Sequence, residues 1–282
     1  PAALTELGHR VDVVMPGYQH FSKLPGALWQ SSLEVRFGRA LHRVDVFLLE
    51  QTGEGGTVRC WVLEHALFAP NKAGEIYCND PPQRPFATDA SKFALFSAAV
   101  CEALLQNAFG DVDVVHLHDW HMALIAVLTR FDPRFQPLNH HRLVFTIHNL
   151  ALQGIRPFEG DESALESWFP YLKYDRHQIV DPRYPNCINP MRAAINLCDR
   201  IHTVSPTYAL EIQRPSDPDK GFYGGEGLEA DLQQAHGTGK LMGILNGCVY
   251  SAAVSATKPD FVAFLDSAER QLNLWIATNE FV

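Results

Sequence analysis

The feature that most constrains this chain is a repeated alternation of short β-branched runs with longer helical stretches. VDVVMP (11–16), VDVVHLHD (112–119), LVFTIHN (143–149), RIHTVSP (200–206) and GILNG (243–247) are short, apolar and halted by Pro, Gly, Asn or Asp, so each reads as a buried strand. Between them lies a helical pattern at 87–108, in which Phe93, Phe96, Val100, Leu104 and Leu105 recur at helical spacing. HMALIAVLTR (121–130), MRAAINLCD (191–199) and TYALEI (207–212) are also helical. Strands alternating with such helices pair in parallel through right-handed crossovers, which predicts an α/β fold with a parallel sheet flanked by helices. In residues 35–68 the strands follow one another without helices, so a small antiparallel extension is expected beside that sheet. Residues 1–10 read as a helix end stopped at Gly8, and 69–89 and 213–227 as long surface loops.

Charge narrows the partners. With 23 Lys+Arg against 32 Asp+Glu the formal charge is −9, which argues against a general binder of nucleic acid or of an anionic membrane, because either needs a basic surface. No apolar run approaches the ~20 residues that span a bilayer. The 282 residues suit one large α/β domain or two smaller ones, and 46% hydrophobic residues supply a packed core. Cysteines at 60, 78, 101, 187, 198 and 248 include no CxxC pair and read as buried, reduced thiols. The chain opens at Pro1 without Met or a signal-peptide pattern, directly on a helix end, which is the expectation for a fragment.

Ligands of open parallel sheets bind beyond the carboxyl ends of the strands, and the polar residues fall on that edge. One strand runs into His116, His118, Asp119, Trp120 and His121; others end in His148-Asn149, Ser205-Pro206 and Asn246-Gly247. HLHDWH admits a metal reading, since histidines at i and i+2 share a strand face. Asp119 directly follows His118, however, so the spacing fails the dinuclear hydrolase pattern, and no metal is expected. His116 and His118 then read as structural, pinned by hydrogen bonds near the strand end. Asp119 reads both as the N-cap of the next helix and as a ligand contact. His148, followed by Asn149 and a glycine-bearing loop, reads as functional. Ser205 reads as a simple N-cap with Pro206 as the first helical residue. GFYGGEGLE (221–229) matches neither GxGxxG nor GxxxxGK[ST] and reads as a mobile loop. No GxSxG elbow or nucleophile beside a base is visible.

PAALTELGHRVDVVMPGY, HLHDWHMALIAV, TIHNLALQGI, INLCDRIHTVSPTYALEI, YGGEGLE and LMGILNG, in that order, resemble the N-terminal half of bacterial glycogen synthases and plant starch synthases. The resemblance covers most of residues 1–250. It implies the N-terminal, acceptor-side domain of a GT-B glycosyltransferase, with a Rossmann-like parallel sheet. The activity it implies is retaining transfer of glucose from ADP-glucose to the non-reducing end of an α-1,4-glucan, without a cofactor. It places His148 as the catalytic residue beside the reacting sugar, with Asn149 next to it. Asp119, Trp120 and His121 match the block lining the cleft, Tyr77 the aromatic facing the acceptor, and Asn246 the LNG turn near the donor. Sugar hydroxyls need Asn, Asp and His partners, and an aromatic face suits the apolar side of a sugar ring.

The sequence also departs from that pattern. The family's first strand and Lys-Thr-Gly-Gly-Leu loop are not in this chain, nor is the second domain with its grip on the diphosphate, so the chain alone is expected to be inactive and to need a C-terminal GT-B domain as intramolecular partner. Val249 replaces the usual Asp after the Asn-Gly turn, and 251–282 read as a helical segment running from about Pro259 to Ile276. A non-catalytic glucan-binding module and a metal-dependent hydrolase built on HLHDWH are the alternatives. The expected location is the bacterial cytoplasm, or the plastid of a plant.

Overall fold

The β-branched runs become the strands of two four-stranded sheets. In the computed structural model, which describes residues 1–53, 56–247 and 265–270, the chain divides into two units, Pro1–Leu245 and Asn246–Val282. The first unit begins with helix α1 (Ala2–Glu6), which ends before Gly8, at φ +86°, as the glycine stop predicts. Strand β1 (Asp12–Pro16) pairs in parallel with β4 (Gly56–Glu64), and β4 continues antiparallel to β3 (Ala40–Gly53) and then β2 (Leu28–Phe37). This is the expected hairpin extension. The carboxylate of Asp12 fastens β1 to β4 by accepting from Trp61 Nε1 at 2.7 Å and from the Arg59 guanidinium.

The second sheet is wholly parallel, in the order β10-β9-β6-β5. It contains β5 (Val114–His118), β6 (Arg142–Ile147), β9 (Arg200–Thr203) and β10 (Leu241–Gly243). The two-residue strands β7 (Arg156–Pro157) and β8 (Cys187–Ile188) form a small separate ribbon. Two expectations change. β1 is not part of the parallel sheet that carries β5; each is a terminal strand of its own sheet, and β1 is therefore half-buried rather than buried, only Pro16 being enclosed. The last strand covers 241–243, not 243–247, because its register against Ile201, His202 and Thr203 ends at Gly243.

Helix α2 (Ala87–Leu105) packs against the first sheet and against later helices, and it is buried almost all round. Its alanines 90, 94, 98, 99 and 103 keep the backbone close to its neighbours, while Phe93 and Phe96 fill the space between. The segment read as one helix at 121–130 is two short ones, α3 (Asp119–Met122) and α4 (Leu124–Phe131). Short helices α5 (Leu165–Trp168) and α6 (Arg176–Ile179) follow, then α7 (Pro190–Leu197), whose Asn189 cap accepts from Arg192 N–H. Helix α8 (Pro206–Glu211) starts as read, with Ser205 Oγ accepting from Tyr208 N–H at 2.9 Å, and α9 (Glu229–Gly237) precedes β10. No described helix is long and apolar enough to cross a membrane. In the second unit residues 265–270 are helical and exposed, and the rest of the helix expected at 259–276 lies outside the described residues.

Candidate active site at the carboxyl edge of the parallel sheet

Parallel register delivers the polar strand ends to one edge. His118 stands opposite Thr146 in the β5–β6 ladder, so the next residues of β5 and β6, Asp119 and His148, emerge side by side. Asp119 does not cap a helix. Its φ is +52° and its Oδ1 accepts the backbone N–H of His148 at 2.9 Å, tying one strand end to the other. Burial pushes the Asp119 carboxyl above the usual range, against the pull of the His148 and Asn149 N–H groups.

The His148 ring is held as well. His118 Nδ1 lies 3.1 Å from His148 Nε2, with the ring planes 28° apart. Behind His118, His116 stacks on it with centroids 4.4 Å apart. His116 Nε2 lies 2.6 Å from Thr146 Oγ1, and that hydroxyl is 2.7 Å from His202 Nε2. A hydroxyl has one proton, so Thr146 donates to one imidazole and accepts from the other. Burial and neighbouring imidazoles lower His118, and push His116 down to about 4, so both are neutral at pH 7. His116 and His118 are both pinned by hydrogen bonds near the strand end, His116 to Thr146 and His118 to His148 itself.

A second pair adjoins the first. Tyr77 Oη lies 3.0 Å from His121 Nε2, and burial pushes His121 down to about 4. Tyr77 is 51% exposed, so its ring presents an open face. The loop that carries it is clamped to α2. Asp80 accepts from Thr88 N–H and Oγ1–H at the start of that helix, and Asp89 accepts from Cys78 N–H at 3.1 Å. Lys92, wholly buried with Asp89, donates to Asp89 Oδ1 at 2.8 Å and to the Ile76 carbonyl. No local pattern marked Asp89 and Lys92 as the foundation of the Tyr77 loop.

Trp120 is 4% exposed and does not face the opening. It stacks on His121 at 4.3 Å, meets Phe93 edge-on, and lies under Gly154, where a Cβ would fall 2.4 Å from Trp120 Cε3. Asn149 is exposed, with Oδ1 accepting from Ala151 N–H at 3.2 Å in a local turn. Asn246 begins the second unit.

The glycine-rich segment is packed rather than free-standing. A Cβ on Gly224 or Gly225 would fall within 2.5 Å of the Arg214 or Ile212 carbonyl oxygen, so these glycines serve close backbone approach, not a phosphate cradle. Gln153, which the sequence did not single out, joins this loop to the one after β6. Its Nε2 donates to the Leu150 and Glu226 carbonyls, and its Oε1 accepts from Asn189 Nδ2 at 2.6 Å and Arg183 at 3.0 Å.

Among the described residues no three His, Cys, Asp or Glu side chains are grouped to hold a metal ion, and one ring nitrogen each of His116 and His118 is engaged by Thr146 and His148. Cys60, Cys78, Cys101, Cys187 and Cys198 are free thiols; Cys78 and Cys187 are only half-buried, and Cys248 lies outside the described residues.

The chain matches the family model described as starch synthase catalytic domain over residues 1–234. It is 34% identical over 251 residues to glycogen synthase 2 of Geobacter metallireducens, covering 88% of this chain and 47% of that one. Against the glycogen synthase of Bacillus licheniformis the identity is 33%, covering 88% and 46%. A solved structure, the catalytic domain of starch synthase IV from Arabidopsis thaliana bound to ADP and acarbose, superposes with a TM-score of 0.68 at 27% identity, over 91% of this chain and 48% of that chain. The chain thus spans about half the length of the curated relatives it matches.

Proposed function

We propose that this chain, which belongs to the family of starch synthase catalytic domains, forms the acceptor-side half of a retaining glucosyltransferase that moves glucose from ADP-glucose to the non-reducing end of an α-1,4-glucan. The observation that carries this reading is the doubly held His148, its backbone fixed by Asp119 and its ring by His118 beyond the ends of β5 and β6. A rigid imidazole at that edge meets sugar hydroxyls without the entropy loss of ordering a free side chain. Asn149 offers its amide N–H groups beside it. Tyr77 supplies the aromatic face for an acceptor glucose, His121 orients the Tyr77 hydroxyl, and Trp120 supports His121 from below. Asn246 belongs to the donor side in this proposal, and the 1–250 stretch works as the N-terminal GT-B domain. The Arabidopsis relative is bound to ADP, the nucleotide part of the proposed donor. The cationic grip on the diphosphate comes from a Lys-Thr-Gly-Gly loop and a C-terminal GT-B domain, working in the bacterial cytoplasm.

The test is incorporation of glucose from ADP-glucose into glycogen by the enzyme that carries this chain. His148→Ala should lower kcat on the order of a hundredfold or more while the thermal unfolding curve stays in place. Unchanged turnover removes His148 from the reaction. Maltooligosaccharide binding without transfer in the unaltered enzyme would replace the transferase with a glucan-binding module.

A further inference from the structure

We infer that His118 is a positioning residue for His148: it accepts the His148 Nε2–H through its own Nδ1, which fixes the His148 tautomer and leaves His148 Nδ1 as a lone-pair acceptor for a sugar hydroxyl. The inference rests on the proposed role of His148 at the sugar, but the hydrogen bond can be tested without it.

Only one hydrogen can occupy the 3.1 Å path between the two nitrogens. A neutral histidine side chain intrinsically favours the hydrogen on Nε2. When His148 Nε2–H donates to His118 Nδ1, both residues keep that favoured form; the opposite direction would force both into the less stable one. With the ring centroids 5.4 Å apart but the two nitrogens only 3.1 Å apart, the rings meet edge to edge and not face to face, so the bond runs close to the ring planes, where the nitrogen lone pair points. The His118 ring is itself immobilised. His116 stacks against it at 29°, and His116 is clamped by Thr146, whose hydroxyl also binds His202. The groups facing His118 are therefore His116 on its own strand, His148 and Thr146 on β6, His202 on β9 and the Asp119 carboxylate that follows it. Burial and the imidazoles of His148 and His202 disfavour a cationic His118. The bond thus has a defined direction, from His148 Nε2–H to His118 Nδ1. His148 Nδ1 has no partner among the described residues, and Asp119 hydrogen-bonds the His148 backbone rather than its ring, so among the described residues His118 is the ring's hydrogen-bond partner.

The experiment is long-range 1H–15N correlation spectroscopy on the 15N-histidine-labelled chain at pH 7. In the unaltered protein His148 should show a pyrrole-type Nε2 and a pyridine-type Nδ1. His118→Asn, whose Oδ1 takes the place of Nδ1 as acceptor, should keep that pattern, whereas His118→Phe, similar in shape but without nitrogen, should give averaged signals from mixed tautomers. A His148 hydrogen on Nδ1 in the unaltered protein, averaged signals there, or a Phe variant with the original pattern would each overturn the proposal. In the enzyme that carries this chain, His118→Phe should lower kcat on the order of tenfold with little change in KM, and His118→Asn should restore most of it. Tautomers behaving as stated while every variant turns over equally would leave the hydrogen bond standing and remove His148 from the reaction.

Discussion

Asp119 adopts φ +52°, a conformation that few non-glycine residues accept, because its Oδ1 is there the acceptor for the His148 N–H. Backbone strain of this kind persists where surrounding contacts over-determine it, and here the contact is the one that sets His148. Asn tolerates the same backbone region and offers the same acceptor, so Asp119→Asn should leave stability nearly unchanged. Asp119→Ala should cost about 0.5–1.5 kcal/mol, measured by urea denaturation, since it removes that hydrogen bond. Gly154 is a second such position. At φ +71° and with Trp120 where a Cβ would go, Gly154→Ala should destabilise by about 1–3 kcal/mol and shift the Trp120 fluorescence. Residue types at the site were legible in the sequence, because a polar residue ending an apolar strand stands out. Their partners were not. Asp119 looked like a helix cap, since a carboxylate before an apolar helical run is the usual capping signal, and only the neighbouring strand showed another N–H competing for it.

At the scale of elements, the buried Lys92–Asp89 pair joins α2 to the loop that presents Tyr77. Removing one partner leaves an uncompensated charge in the interior, so Lys92→Met should cost about 3–5 kcal/mol. Asp89→Asn with Lys92→Met should recover a large part of that loss, because neither charge remains. Limited proteolysis within 75–80 should increase in the single variant. An equal cost in the single and double variants would show that packing, not charge, sets the effect. The helix itself was legible from its phenylalanines and leucines at helical spacing, as were the antiparallel hairpins and the Ser205 cap, all of which depend on near neighbours in the chain. The ion pair was not legible, since Asp and Lys three apart on a helix are ordinarily a solvent-exposed pair. Burial of that turn is imposed by the loop that closes over it. The glycine-rich segment follows the same logic: its composition suggested mobility, and its glycines instead admit the carbonyls of Ile212 and Arg214.

For the whole molecule, the histidines link stability to pH. His116 and His121 are both pushed down to about 4, chiefly by burial, whereas in the unfolded chain a histidine titrates near 6.5. Between about pH 6.5 and 4 the unfolded chain binds protons that the native chain refuses, so stability rises with pH across that window. The stabilisation present at pH 7 should therefore be lost progressively as pH falls toward 4. Urea midpoints at pH 7, 6 and 5 should decline, and His121→Gln should flatten the decline; a midpoint independent of pH would contradict the lowered titration of these two histidines. The sequence by itself determined the α/β class, the order of the strands and the clustering of His, Asp and Asn at their carboxyl ends, because periodicity and strand length record burial and chain direction locally. Only the tertiary structure decided that β1 pairs with β4 apart from the parallel sheet, that Trp120 lies inside, and that His118 meets His148. Those outcomes depend on inter-strand register and on contacts between residues thirty or more positions apart, which no local pattern encodes.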